Sequence, residues 1–232
     1  MPTPITFITG TRKGLGRALA EHYVRLGHEV GGCSRQAIDW QMERYTHYIA
    51  DVADEGAVRA AFVDIQRRFG RLDHLINNAG TAAMNHSLLT PMSTFNRLLR
   101  TNVAGTFLVT REAAKLMKGA GYGRIVNMTS VAVPLKLEGE SAYAATKAAV
   151  DSLTQVLARE LAVFGVTVNA VGPTPVDTDL IRGVPKDKLD RLLARQAIPR
   201  MGTSQDVANA IDFFLKKESG FITGQTIYLG GV

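Results

Sequence analysis

The amino-acid sequence predicts an α/β protein built on a doubly wound parallel sheet of about seven strands, with helices on both faces. Three observations carry this. Short apolar runs alternate with longer stretches whose apolar residues recur at helical spacing. A glycine-rich turn, Thr9-Gly10-Thr11-Arg12-Lys13-Gly14-Leu15-Gly16, joins the first such run to the first such stretch. Hydrophobic residues make up 46% of the 232 residues, enough for one substantial core in a chain too short for two ordinary enzyme domains. Residues 1–232 therefore read as one domain.

Ile5–Thr9 is the first strand, and Gly14–Leu26 the first helix, with Leu15, Ala18, Leu19 and Tyr23 at helical spacing. Glu29–Cys33 is the second strand and Tyr48–Ala50 the third. A helix over Asp54–Phe69 sets Val58, Phe62, Ile65 and Phe69 on one face, with Asp54 as its N-cap. Leu72–Asn77 is the fourth strand. Ser93–Lys118 reads as one long helix, Arg124–Thr129 as a strand, Ser141–Phe164 as a second long helix and Val166–Val171 as a strand. An irregular polar segment with a short helix near Asp187–Arg195 follows, then a helix over Ser204–Lys217 and a last strand at Gln225–Leu229.

Composition narrows the function classes. No apolar run approaches the roughly 18 residues of a membrane span, and Met1–Ile8 lacks the features of a secretory leader, so a cytoplasmic protein away from membranes is expected. Cys33 is the single cysteine, and five scattered histidines show no metal-ligand spacing, so neither a disulfide nor a metal site is expected. The net charge of +6 suits an anionic ligand, but the basic residues are dispersed and no basic run is interleaved with aromatics. Nucleic-acid binding is not expected.

The glycine-rich turn carries the first chemical signal. Glycines between a strand and a helix let the backbone approach a pyrophosphate, and the free N–H groups and dipole of the helix start favour its charge. The TGxxxGxG spacing differs from GxGxxG and resembles that of the short-chain dehydrogenase/reductase family, which has a Rossmann fold. Asn77-Asn78-Ala79-Gly80 follows the fourth strand as that family's NNAG does. Asn102 lies at the family's helix Asn. Ser130 ends the fifth strand, thirteen residues before Tyr143, and Tyr143-Ala144-Ala145-Thr146-Lys147 supplies YxxxK. Alone, each has a plainer reading: Ser130 as a turn cap, Asn102 as a polar bend in a helix, Tyr143 as a half-buried aromatic. In this order and context they read as one motif.

The resemblance runs from about Thr3 to Gly231 and implies NADP(H) as cofactor. It assigns catalysis to Asn102, Ser130, Tyr143 and Lys147. Cofactor binding falls to Gly10, Thr11, Arg12, Lys13, Gly14, Leu15, Gly16, Ser34, Arg35, Asp51, Val52, Asn78, Ala79, Gly80, Tyr143, Lys147, Pro173, Val176 and Thr178. Ser130 would donate a hydrogen bond to a carbonyl oxygen that gains charge as hydride arrives, and Tyr143 would protonate it. Lys147 would lower the Tyr143 pKa and hold ribose hydroxyls, and Asn102 would hold a water linking Lys147 to solvent. At the end of the second strand, Cys33-Ser34-Arg35 offers no carboxylate to ribose hydroxyls, while Lys13 and Arg35 could flank a 2′-phosphate. Aspartate at Cys33 would then turn the preference toward NADH.

Three features depart from the family: a short span from Arg35 to Asp51, Thr174 after Pro173 where Gly is common, and no long tail after Val232. Ile198-Pro199-Arg200-Met201-Gly202 and Asp206-Val207-Ala208-Asn209 look most like 3-oxoacyl-carrier-protein reductases. That implies a 3-oxoacyl thioester, free or on an acyl carrier protein, with Lys118 and Arg124 as basic residues beside the cleft and Gly121 and Phe164 lacking the expected charge. The alternatives are a reductase of a free small ketone in secondary metabolism and a non-catalytic NADP-binding regulatory protein. The two long helices, Ser93–Lys118 and Ser141–Phe164, also imply a homodimer or homotetramer.

Overall fold

A computed structural model describes residues 2–177 and 186–232. Its seven strands are β1 Ile5–Thr9, β2 Glu29–Ser34, β3 Tyr45–Ile49, β4 His74–Asn77, β5 Gly123–Met128, β6 Val166–Gly172 and β7 Thr226–Tyr228. They form one parallel sheet in the order β3-β2-β1-β4-β5-β6-β7. The order reverses between β1 and β4, which opens a crevice at their carboxyl ends where ligands bind in folds of this kind.

Strand alternation divides the core between the two faces. Phe7, Leu75 and Ile125 point to one side with Phe62, Ile65 and Met117, whereas Ile8, Ile76 and Val126 point to the other with Leu19, Tyr23 and Phe214. Helices α2 (Glu55–Phe69), α4 (Gly105–Ala120) and α6 (Ser141–Leu161) cover the first face, and α1 (Gly14–Arg25) and α8 (Ser204–Leu215) the second. With both faces covered, β1, β4, β5 and β6 are buried along their whole length.

Caps mark where the helices start. Asp54 accepts the Ala57 N–H at 3.0 Å, as its sequence position predicts. The helix expected at Ser204 starts there because Thr203 and Asp206 form a reciprocal capping box.

One expectation needs correction. Ser93–Lys118 is not one regular helix: α3 (Met92–Leu98) passes through a π-helical segment, Leu99–Ala104, into α4. In line with the short span after the second strand, the Arg35–Arg44 connection holds no helix, being too short for one with turns at both ends. Trp40 takes the helix's place. It is 9% exposed, packs with Leu19, Tyr23 and Val30, lies 4.5 Å from the Tyr45 ring, and donates its indole N–H to the Arg12 carbonyl at 3.1 Å.

Candidate active site

Gly10, Gly14 and Gly16 build the turn at the crevice. Gly10 and Gly14 have φ of 77° and 58°, a region that favours glycine. At Gly16 a Cβ would lie 2.1 Å from the Gly10 carbonyl oxygen, so only glycine lets α1 start this close to β1. The Asn78 amide donates to the Thr9 carbonyl at 2.9 Å, and the Ala79 N–H to the Thr9 hydroxyl at 2.9 Å, tying the β4 loop to this turn. Helix α1 has no side-chain cap and no acidic residue in its first turn. A cavity of about 300 Å³ lies against it, lined by Gly14, Leu15, Ala18, Val176, Asp177 and Gly202 among others. Uncapped N–H donors facing such a cavity fit a pyrophosphate.

Not every predicted cofactor residue faces the crevice. Thr11 is buried; its N–H donates to the Cys33 carbonyl at 3.1 Å, and its hydroxyl lies 2.7 Å from that of Tyr45. Arg12 and Lys13 are exposed on the turn. Arg35 is exposed just past β2, and Ser34, half-buried, donates to the Gln36 carbonyl at 2.6 Å. Cys33 is 2% exposed in the core, so an aspartate there would bury a carboxylate; the half-buried Ser34 is the better position for a cofactor switch. Asp51 accepts the Ala53 N–H at 3.0 Å, and Val52 is buried against Gly105. Pro173 follows β6, Val176 pairs with Gly202 as an isolated bridge, and Thr178 lies outside the described residues. The Thr174 methyl stands 2.9 Å from where a Gly202 Cβ would be, so Gly202 makes room for this departure from the family pattern.

The four candidate catalytic residues converge. Lys147 is 5% exposed and donates to the Met128 carbonyl at 2.7 Å, with its ammonium 5.9 Å from the Tyr143 ring centre. The Ser130 hydroxyl accepts the Ala132 N–H at 3.2 Å and stands near enough to the Tyr143 phenol to favour its ionised form. Asn102 lies in the π-helical segment, where its amide donates to the Thr81 carbonyl at 2.9 Å and the Thr146 hydroxyl at 3.0 Å while its oxygen accepts the Thr81 N–H at 2.9 Å. A Cβ on Gly80 would lie 3.5 Å from both Asn102 Oδ1 and Lys147 Nζ, so the glycine sits where those two groups face each other.

Burial dominates the protonation of this set. Desolvation pushes the Tyr143 phenol up to about 12, aided by the Glu140 charge and opposed by the Ser130 hydroxyl. Desolvation brings the Lys147 ammonium down to about 8, opposed by Asp151. The causes of the Tyr143 shift are burial, Ser130 and Glu140, while the Lys147 ammonium stands 5.9 Å from the Tyr143 ring centre. Tyr143 keeps its proton at neutral pH, which is the form a proton donor needs.

Sequence reasoning missed several supporting groups, because their signal is a three-dimensional juxtaposition. Asn77 donates to Thr110 and to Asn127, each at 2.8 Å, and Asn127 to Thr154 at 2.9 Å, a buried polar ladder beneath the site. Arg195 donates to the Leu135 carbonyl at 2.7 Å, joining the end of α7 (Lys186–Leu193) to the short helix α5 (Ala132–Leu135) after Ser130. Arg124 needs a correction. It is 5% exposed at the amino end of β5, with its guanidinium on the Gly123, Gly165 and Lys217 carbonyls, so it is not presented to a docking partner. Lys118 lies over the Phe164 ring at 4.6 Å.

A family model described as Enoyl-(Acyl carrier protein) reductase matches residues 10–231. The chain belongs to the short-chain dehydrogenase/reductase family. It is thus an oxidoreductase acting between CH–OH and C=O. The chain is 32% identical over 233 residues to the 3-oxoacyl-[acyl-carrier-protein] reductase FabG of Escherichia coli, covering 98% of this chain and 96% of that protein. It is 31% identical to the acetoacetyl-CoA reductase of Cupriavidus necator, covering 100% of this chain and 98% of the relative. Among solved structures, ElxO with NADP bound has 30% identity and a TM-score of 0.89, covering 98% of this chain and 97% of ElxO. Aldohexose dehydrogenase of Thermoplasma acidophilum has 29% identity and a TM-score of 0.91, covering 99% and 93%. Among the described residues, no helix is long and apolar enough to cross a membrane, and no group of three or more His, Cys, Asp or Glu is placed to hold a metal ion.

Proposed function

We propose that the protein is an NADPH-dependent carbonyl reductase acting on a 3-oxoacyl thioester. The convergence of Ser130, Tyr143, Lys147 and Asn102 beside the uncapped start of α1 carries this reading. The cofactor supplies the hydride. Ser130 donates a hydrogen bond to the carbonyl oxygen as charge develops there, and the half-buried, protonated Tyr143 gives that oxygen its proton. Lys147 steadies the site with its positive charge, and Asn102 holds the Thr81 loop and Thr146 around it. The first turn of α1 and the exposed Arg12, Lys13 and Arg35 bind the phosphates.

The FabG and acetoacetyl-CoA reductase relatives support a thioester, and the buried Arg124 favours one that is not presented by a carrier protein. Rates of NADPH oxidation with acetoacetyl-CoA, acetoacetyl-carrier protein and free ethyl acetoacetate test this. Turnover of either thioester above the ester supports it, and turnover of the free ester alone replaces it with a small-ketone reductase. Absence of turnover with any carbonyl, despite cofactor binding, points to a regulatory binder.

The proposal extends to one NADP-binding domain over 1–232, a cytoplasmic location and a homo-oligomer. Leu99, Phe107 and Val156 expose 36%, 44% and 50% of their surfaces around the helical pair, which supports self-association there. Cell fractionation and sedimentation test the last two.

A further inference from the structure

Lys147 has a charged neighbour that the mechanism above leaves unused. Lys147 and Asp151 stand four residues apart on α6, so their side chains share one face of the helix. Asp151 is held in place. The Tyr228 phenol donates to its Oδ2 and the Thr226 hydroxyl to its Oδ1 at 3.3 Å. Both donors belong to β7, which pairs with β6 through Ala170 with Thr226 and Gly172 with Tyr228. The Tyr228 ring occupies the space over Gly172, where a Cβ would lie 2.3 Å from the ring and 3.0 Å from the Thr129 methyl. Thr129 in turn donates its hydroxyl to the Lys147 carbonyl at 3.2 Å. Carboxylate and lysine backbone are thus gripped by adjacent parts of one assembly.

We propose that Asp151 is a positioning residue for the reductive step: clamped by Tyr228 and Thr226 one helical turn from Lys147, its carboxylate keeps that buried ammonium charged. This rests on the reading in which Lys147 serves the reaction. Burial favours loss of the lysine proton, and the Asp151 charge is what opposes it. The other groups facing Lys147 bring no countercharge. They are the Tyr143 phenol on α6, the Met128 carbonyl on β5, Gly80 after β4 and the Asn102 amide in the π-helical segment. Glu140 acts on Tyr143. On the far side of Asp151, Tyr228 is held protonated by burial and by the carboxylate it serves, so it remains a donor.

The test uses the full-length protein and two readouts. One is the titration of Lys147 itself, followed by NMR of isotope-labelled lysine side chains and assigned with Lys147→Arg. The other is the pH profile of kcat/KM for acetoacetyl-CoA reduction by NADPH. Asp151→Asn should lower the Lys147 pKa by about one unit, the size expected when an opposite charge nearby is lost. The sign follows from removing an anion: the ammonium loses its proton at lower pH, so the alkaline fall in kcat/KM moves down with it. Tyr228→Phe, which removes only one hydroxyl, should move both in the same direction by less, and Asp151→Glu should restore both. An unchanged Lys147 titration in folded Asp151→Asn overturns the proposal, and if that variant does not fold, the Tyr228→Phe titration decides. A Lys147 titration that drops while the pH profile stays fixed upholds Asp151's action on the lysine and removes Lys147 from the proposed mechanism.

Discussion

Gly16→Ala adds one methyl where the structure has no room for it. The new Cβ would lie 2.1 Å from the Gly10 carbonyl oxygen and 2.5 Å from the Asn78 amide nitrogen, against 3.4 Å for ordinary contact. Both neighbours would have to retreat by roughly an ångström. Neither moves freely, since the Gly10 N–H is bonded to the Cys33 carbonyl at 2.8 Å and the Asn78 amide to the Thr9 carbonyl at 2.9 Å. Overpacking costs about 1–3 kcal/mol and each weakened hydrogen bond about 1 kcal/mol, offset by roughly 1 kcal/mol from alanine's better helix propensity. The net is about 2–4 kcal/mol of destabilisation, or a fall in Tm of roughly 5–15 °C for a chain of this size. Because the displaced atoms form the proposed phosphate cradle, NADPH affinity should fall at least about tenfold. The same exchange at Gly119, in α4 with nothing within 4 Å of its Cβ position, should be neutral or stabilising by up to about 1 kcal/mol. Thermal unfolding and NADPH fluorescence titration of the two variants decide it. A Gly16→Ala protein that melts with the wild type and binds NADPH as tightly would refute the argument from close approach.

Tyr143→Phe should lower turnover by roughly 10²–10⁴-fold with NADPH binding nearly unchanged, because it removes the transferable proton and little else; near-normal turnover at saturating cofactor would reassign the acid. Arg35→Ala should cost NADPH at least about tenfold in kcat/KM relative to NADH, an effect of about 1.4 kcal/mol that added salt reduces. Equal losses with both cofactors would make Arg35 an ordinary surface cation. Burial, with the His28 and Arg124 charges, brings His74 down to about 3, whereas an unfolded histidine titrates near 6.5. The unfolded chain therefore binds more protons between these values, so His74's contribution is complete above pH 6.5 and is lost as pH falls toward 3. Tm should fall across that range and fall less steeply in His74→Gln; identical slopes would clear His74 as the cause.

The chain's local chemistry was enough to read the strands, the glycine turn and the shared helix face of Tyr143 and Lys147. Each has a short-range cause: short continuous apolar runs for strands covered on both faces, glycine where φ is positive or a Cβ would clash, and Tyr143 and Lys147 one turn apart on a helix. What a residue faces across the fold was decided only by tertiary packing. Ser93–Lys118 has unbroken helical periodicity, yet Asn102's bonds to Thr81 and Thr146, distant in sequence, sit within a π-helical segment. Arg124 reads as a docking cation until backbone carbonyls from three elements surround it, and Cys33 as a cofactor position until it enters the core. The protonation of Tyr143 and Lys147 was equally hidden, because desolvation depends on everything packed around a group while sequence spacing reports only its neighbours along the helix.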